Sequence, residues 1–287
     1  MTDKLILKPS HRRHAVALLI LWFAGGSPHA APQPAPSALP IPSSLFGTWE
    51  VTAVHVDTGA TRTPLYRPGD FRLIGRIFRF TSGSITSNTP ERQDCPSPGI
   101  GKSLPAAKLI ESSMAGRAVP PVLPTAEDYR LQLPSDPKVS AFTVNCNGKL
   151  WGASLGREDG NRGAWLLPLA SGKLALRWYG ETILELGRLP EGARPSPSFD
   201  CSQASIGAEK AICRSIPLAK LDVSLARSFA AAAQEFREAG RGSSLAALKA
   251  QQRAWLLQRN RCGSDVACLE RSMSARLETI ETMPGDE

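Results

Sequence analysis

Two periodicities divide the chain. From Leu45 to Arg188, short β-branched or aromatic runs recur between turn residues: GTWEVTAVHV, DFRLIGRIFRF, KVSAFTVNC, KLWGASL, GAWLLPLA, GKLALRWYG and TILELGR. Several alternate with period two, as at Phe71, Leu73 and Gly75 or at Leu174, Leu176 and Trp178, which is the pattern of strands with one buried face. Gly172-Lys173 and Gly180-Glu181 fall where tight hairpin connections belong. The runs predict an antiparallel barrel-like or strongly twisted sheet, with Trp49, Trp151, Trp165 and Trp178 as core anchors. Thr89 to Tyr129 is rich in Pro, Ser and Gly and has little periodicity, so it reads as a long surface excursion.

Past Ser198 the period becomes helical. Leu218, Leu221, Leu225, Phe229, Ala233 and Phe236 recur every three or four residues, after Pro217 in a first turn and before Gly240 and Gly242. A second helix follows Ser243 or Ser244, with Leu245, Leu248 and Trp255 on its apolar side and Gly263 supplying the left-handed position after it. A third runs from about Asp265 through Leu269, Met273, Leu277 and Ile280, and a shorter one lies between Ser205 and Cys213. The whole is an α+β chain, an antiparallel β-barrel-like domain followed by an α-helical module.

Composition adds boundaries. Residues 1 to 14 carry Lys4, Lys8, Arg12 and Arg13 against Asp3 and precede an apolar run from Ala15 to Ala24. That is the form of a secretory signal peptide, residues 1–30, and the apolar run is too short for a membrane span. The proline-rich stretch 31–44 reads as a tether. A β-rich domain, 45–188, follows, then a second proline-rich break, 189–198, and the helical domain, 199–283. The formal charge of +8 is spread thinly, with eighteen bases and fourteen acids in 31–198 and twelve and eleven in 199–287, the signs interspersed. No concentrated basic stripe for a nucleic acid results. Asp265, Glu270, Glu278 and Glu281 on the last helix interleave with Arg271 and Arg276, as a solvated face would.

The six cysteines change the picture most. Export implies an oxidising compartment, periplasmic or extracellular, and the spacings of Cys201, Cys213, Cys262 and Cys268 match no common zinc pattern, so structural disulfides are expected. Cys95 can reach Cys146 within the β domain. Short connections between antiparallel helices favour Cys213 with Cys262 and Cys201 with Cys268; the pairing of Cys201 with Cys262 and Cys213 with Cys268 stays open.

Two resemblances enter here. LFGTWEV, with Gly47 and Trp49, resembles the Gly-x-Trp start of lipocalin-like barrels, where the Trp closes the barrel base. FDCSQASIGAEKAIC, the PLAKLDVSLARSF helix and QQRAWLLQRNRCGSDVACLERSMSARLETI together resemble the lysozyme inhibitor LprI-like family of secreted bacterial proteins, over residues 199 to about 281. Cys201, Cys213, Cys262 and Cys268 match that family's cysteines, and Trp255 and Arg259 its helix motif. The resemblance implies a secreted helical module, one of whose family members inhibits lysozyme.

Catalysis is not expected. Beyond the signal region the only histidine is His55, in an alternating strand, and no GxSxG, HExxH, phosphate-loop or dinucleotide motif occurs. No catalytic, cofactor or metal residue is therefore assigned. The expected function is non-catalytic binding in the bacterial envelope, with lysozyme or another cell-wall-associated protein as partner and Arg253, Trp255 and Arg259 as candidate contacts. The alternative is a small-ligand or lipid carrier acting through the β domain, with the helical module as accessory. An apolar interior with an open mouth would favour the carrier; a filled interior and an exposed helical groove would favour protein binding.

Overall fold

A computed structural model describes residues 39–60, 64–117, 122–136, 139–152 and 163–283. The expected signal peptide, most of the expected tether and the second half of KLWGASL lie outside these residues. The strands are β1 (Gly47–Val56), β2 (Ile77–Phe80), β3 (Ser84–Ser87), β4 (Cys95–Pro96), β5 (Pro98–Pro105), β6 (Ser140–Cys146), β7 (Lys149–Leu150), β8 (Trp165–Pro168), β9 (Leu174–Trp178) and β10 (Thr182–Arg188). They form one antiparallel sheet in the order β4-β3-β2-β1-β10-β9-β8-β6-β5, with β7 on β6. The helices are α1 (Ala106–Ser113), α2 (Gly207–Ile212), α3 (Ile216–Glu238), α4 (Gly242–Asn260) and α5 (Val266–Glu281). The fold is α+β, as the two periodicities require.

The sheet curls because its first and last members in order, β4 and β5, are separated in sequence by Ser97 alone. The Cys95–Cys146 disulfide, with Cα atoms 5.0 Å apart, and the Asn147 N–H donated to Pro96 O at 3.0 Å tie the two ends together. Strand β1 spans most of the inner core because a bulge at Thr52 shifts its register. Trp49 and Val51 before the bulge, and Val54 and Val56 after it, then all face the same interior. Leu174, Leu176 and Trp178 point there too, as their alternation predicts.

The interior is filled. Trp178 makes edge-on contacts with Phe78 and Trp151 at centroid distances of 5.2 and 5.4 Å, and Trp49 packs against Phe80 at 6.3 Å. Trp49 is closed over by the turn Ser43–Leu45, whose Leu45 O accepts its indole N–H at 2.9 Å, and by the Arg188 guanidinium 4.3 Å above its ring. The opposite face of β6, β8, β9 and β10 carries a second core, in which Trp165, Leu167, Ala175 and Ile183 lie under α1 and Tyr129.

Three local expectations are corrected. Thr89 to Tyr129 is not a surface excursion; it contributes β4, β5 and α1. Its prolines and glycines are tolerated because β5 is an edge strand, bulged between Ile100 and Ser103. The DFRLIGRIFRF run is a strand only from Ile77. Before it, the Asp70 carboxylate accepts from the N–H groups of Arg67 and Arg72 and winds residues 70–75 into turns that end at Gly75, φ +77°. The tether is packed at its end, where Pro40 bridges to Gly99 and the buried Ile41 joins the inner core.

The helices follow their apolar stripes closely. Ser215 caps α3, with Pro217 in its first turn, and Asp265 caps α5 by accepting from Cys268 N–H at 3.0 Å. The disulfide pairing is the main correction here: Cys201 joins Cys213 and Cys262 joins Cys268. Each pair brackets a tight reversal, one between the Asp200-capped turn and α2, the other at the α4–α5 turn through Gly263, φ +57°. Those reversals bring Cα atoms to 5.8 and 5.6 Å, within bridging reach, so each bridge spans its own turn and neither links α2 to the α4–α5 pair.

The β-rich and helical parts belong to one compact unit. Phe71 enters the helical core, Ser224 Oγ donates to Ile74 O at 2.7 Å, and Lys220 pairs with Glu50 at 2.8 Å. The acids of α5 complete the seam: Glu270 meets Arg92 at 3.2 Å, Glu278 meets Arg72 at 3.0 Å and Glu281 meets Arg67 at 2.8 Å. Of the expected solvated acidic face, Asp265 and Glu278 are exposed, whereas Glu270 and Glu281 are turned into the seam. Among the described residues no helix is long and apolar enough to cross a membrane.

Candidate protein-binding groove

Helices α4 and α5 run back along each other from the Gly263 turn, fastened by the Cys262–Cys268 disulfide. Trp255 docks one on the other by donating its indole N–H to Ser272 O at 3.3 Å and Ser272 Oγ at 3.2 Å. Along this line the pair leaves a groove of about 370 Å³, lined by Ala254, Trp255, Gln258, Ala275, Arg276 and Thr279 among others. Ala254 and Ala275 are exposed and small, so the groove floor is open, and Leu257, 69% exposed, stands one turn along from Ala254.

The three sequence candidates separate. Trp255 is half-buried at the groove. Arg259, four residues on, shares its side of the helix but is buried, its guanidinium 5.6 Å from the Trp255 ring centroid and bonded to Asn260 Oδ1 at 3.1 and 2.8 Å. Burial pulls the Arg259 pKa down, against the field of Asp222 and Glu209. It supports Trp255 from beneath instead of flanking it at the surface. Arg253 is exposed, but two residues from Trp255 it lies on a different side of α4.

Arg276 is the groove residue that sequence reasoning missed. It is 6% exposed, donates to Gln252 Oε1 at 2.9 Å and more weakly to Gln251 Oε1 at 3.5 Å, and its Nη2 has no hydrogen-bond partner among the described residues. Desolvation lowers its pKa. A signal was present: Arg276 occupies an apolar-stripe position, seven residues after Leu269 and three after Met273. A charge at such a position is either paired inside or serves a contact.

His55 is a sheet residue, as expected. Burial pushes its pKa down and keeps the ring neutral, with Nε2 buried and unbonded among the described residues. The six cysteines form three disulfides and none is free. In comparisons with protein families, with curated proteins and with solved structures, nothing matches the chain.

Proposed function

We propose that this is a non-catalytic binding protein of the periplasm or the secreted space, and that it holds a protein partner in the α4–α5 groove. The observation that carries this reading is the groove itself: a half-buried tryptophan beside a buried guanidinium with an uncommitted N–H group. An unmatched buried donor costs free energy that a partner's acidic side chain would recover. Trp and Arg are also the residue types on which binding energy concentrates. The packed tryptophans and phenylalanines inside the sheet favour this role over that of a small-ligand or lipid carrier.

The resemblance of residues 199–281 to LprI-like proteins makes a lysozyme-type muramidase the first partner to test, before other cell-wall-associated proteins. The experiment is lysozyme turbidimetry with the oxidised chain beginning after Ala30, compared with Ala254→Arg and Ala275→Arg, which fill the groove from exposed positions. Dose-dependent inhibition that both variants abolish supports the proposal. Inhibition indifferent to the variants moves the site elsewhere, and no inhibition removes lysozyme as the partner.

A further inference from the structure

A second cleft, of about 470 Å³, opens on the seam between the β-rich part and α5. Its walls come from three elements: the turn before β2, with Arg72 and Arg76; the β3–β4 loop, with Asn88 and Arg92; and α5, with Arg271 and Glu278. Two of the four arginines are neutralised. Arg72 takes both oxygens of Asp70, at 3.0 and 2.8 Å, as well as Glu278. Arg92 is paired with Glu270. Of the two acids of the loop, Glu91 turns away to Tyr66 and to Trp178 Nε1, and Asp94 is exposed outside the lining of the cleft.

The other two have no carboxylate against them among the described residues. Arg76 is 2% exposed and, among the described residues, donates to Arg72 O at 2.8 Å, Asn88 O at 3.0 Å and Ser274 Oγ at 3.2 Å. Burial pushes its pKa down to about 10, with Glu270 the largest opposing influence. Arg271 is exposed at the mouth and makes no ion pair among the described residues. Asn88 adds an unused donor: its Oδ1 accepts from Ile77 N–H at 2.7 Å, which fixes the amide, and its buried Nδ2 has no partner among the described residues. A buried guanidinium with no carboxylate hydrogen-bonded to it is costly to maintain, so the cleft is arranged to receive an anion.

We propose that this cleft binds a tetrahedral oxyanion, a phosphate or sulfate group, on Arg76, Arg271 and the Asn88 amide. A planar carboxylate is met by one arginine fork, as Asp70 is by Arg72. The open donors here belong to three separate elements and suit an anion whose oxygens point in several directions. The cleft is of the size that holds a small molecule, so the group is carried by a larger ligand.

The test is calorimetric titration and thermal denaturation of the whole oxidised chain in chloride buffer at constant ionic strength. Inorganic phosphate and sulfate are the probes and acetate is the planar comparator. Saturable binding of phosphate, sulfate or both, with acetate weaker, upholds the proposal and tells which group is preferred. Arg271→Ala, which removes an exposed side chain with no ion pair to lose, should weaken binding by about tenfold or more, the size of a lost charge-assisted hydrogen bond. Asn88→Asp keeps the acceptor for Ile77 and places a carboxylate beside Arg76. It should raise the melting temperature in chloride and abolish the phosphate response. No saturable response, an equal response in either variant, or acetate binding as tightly as phosphate would overturn the assignment.

Discussion

Removing the Cys95–Cys146 bridge tests both the closure of the sheet and its hold on the helices. The bond closes a separation of 51 residues, worth about 4 kcal/mol of denatured-state entropy on the chain-entropy model. That is a large share of the 5–15 kcal/mol by which a folded protein is typically stable. At about 2–4 °C per kcal/mol for a chain of this size, the Cys95→Ala/Cys146→Ala protein should melt about 8–16 °C lower. Helices α2 to α5 lie outside the closed loop, yet Glu270, Glu278 and Glu281 of α5 hold to arginines of the β-rich part, and Phe71 sits in the helical core. Their unfolding should therefore shift with the sheet. Far-ultraviolet dichroism follows the helices, while tryptophan fluorescence reports mostly on the β-rich part, which holds Trp49, Trp151, Trp165 and Trp178. The two transitions should coincide and move together. A helical transition left in place while the fluorescence transition falls would refute the single cooperative unit, and no shift in either would refute the closure.

Gly75→Ala should destabilise by about 1–3 kcal/mol in urea unfolding, because a left-handed residue gains a Cβ only 2.9 Å from Ser224 Oγ and 3.2 Å from Lys220 O. Gly69→Ala, left-handed at φ +68° but with nothing within 4 Å, should cost less, and the difference measures the seam. The Arg117 guanidinium, hydrogen-bonded to Asp57, holds its carboxyl below the usual carboxylate range against the effect of burial. Since the folded form binds the proton more weakly, this contribution is complete above the unfolded carboxyl's pKa and fades as pH falls through the folded value. Asp57→Asn should thus melt lower at neutral pH and lose less stability on acidification, as followed by melting temperature against pH. Trp178→Ala should cost about 3–5 kcal/mol in the same assay, since it empties the centre of the filled interior and strips Glu91 of a donor.

What could be read from the sequence follows the physics of each element. Helical stripes and strand alternation need only local periodicity, so α3, α5 and β9 stand close to where the pattern puts them. Strand β5 was hidden because its prolines and glycines are turn residues everywhere except at a sheet edge, and edge position is a property of the whole fold. Phe71 and Leu73 alternate like strand residues but serve two different cores, one helical and one β, which no single-segment pattern can express. The disulfide pairing failed for a related reason. The expected pairing follows the directions of whole helices, whereas two tight reversals, set by the Asp200 cap and by Gly263, bring each cysteine to its neighbour. In the groove, Trp255 was legible as a helix-motif residue, but Arg276 needed its place on the stripe to be weighed against its charge.

The use of the α5 acids has a consequence for recognition. Counted alone, residues 199–287 carry twelve bases and eleven acids, nearly neutral. Glu270, Glu278 and Glu281 are each matched by an arginine from the β-rich part, so they are no longer available to draw in a positive partner. The groove side of the module offers Arg276 within and no acid in its lining. Long-range attraction therefore does not assist the approach of a strongly basic protein, and a complex with one would rest on short-range packing around Trp255. An acidic segment, by contrast, would be favoured on approach and could satisfy the free Arg276 nitrogen once docked. If the outer groove holds a partner as proposed, the seam that makes sheet and helices one body thus also sets the sign of charge that this partner would carry.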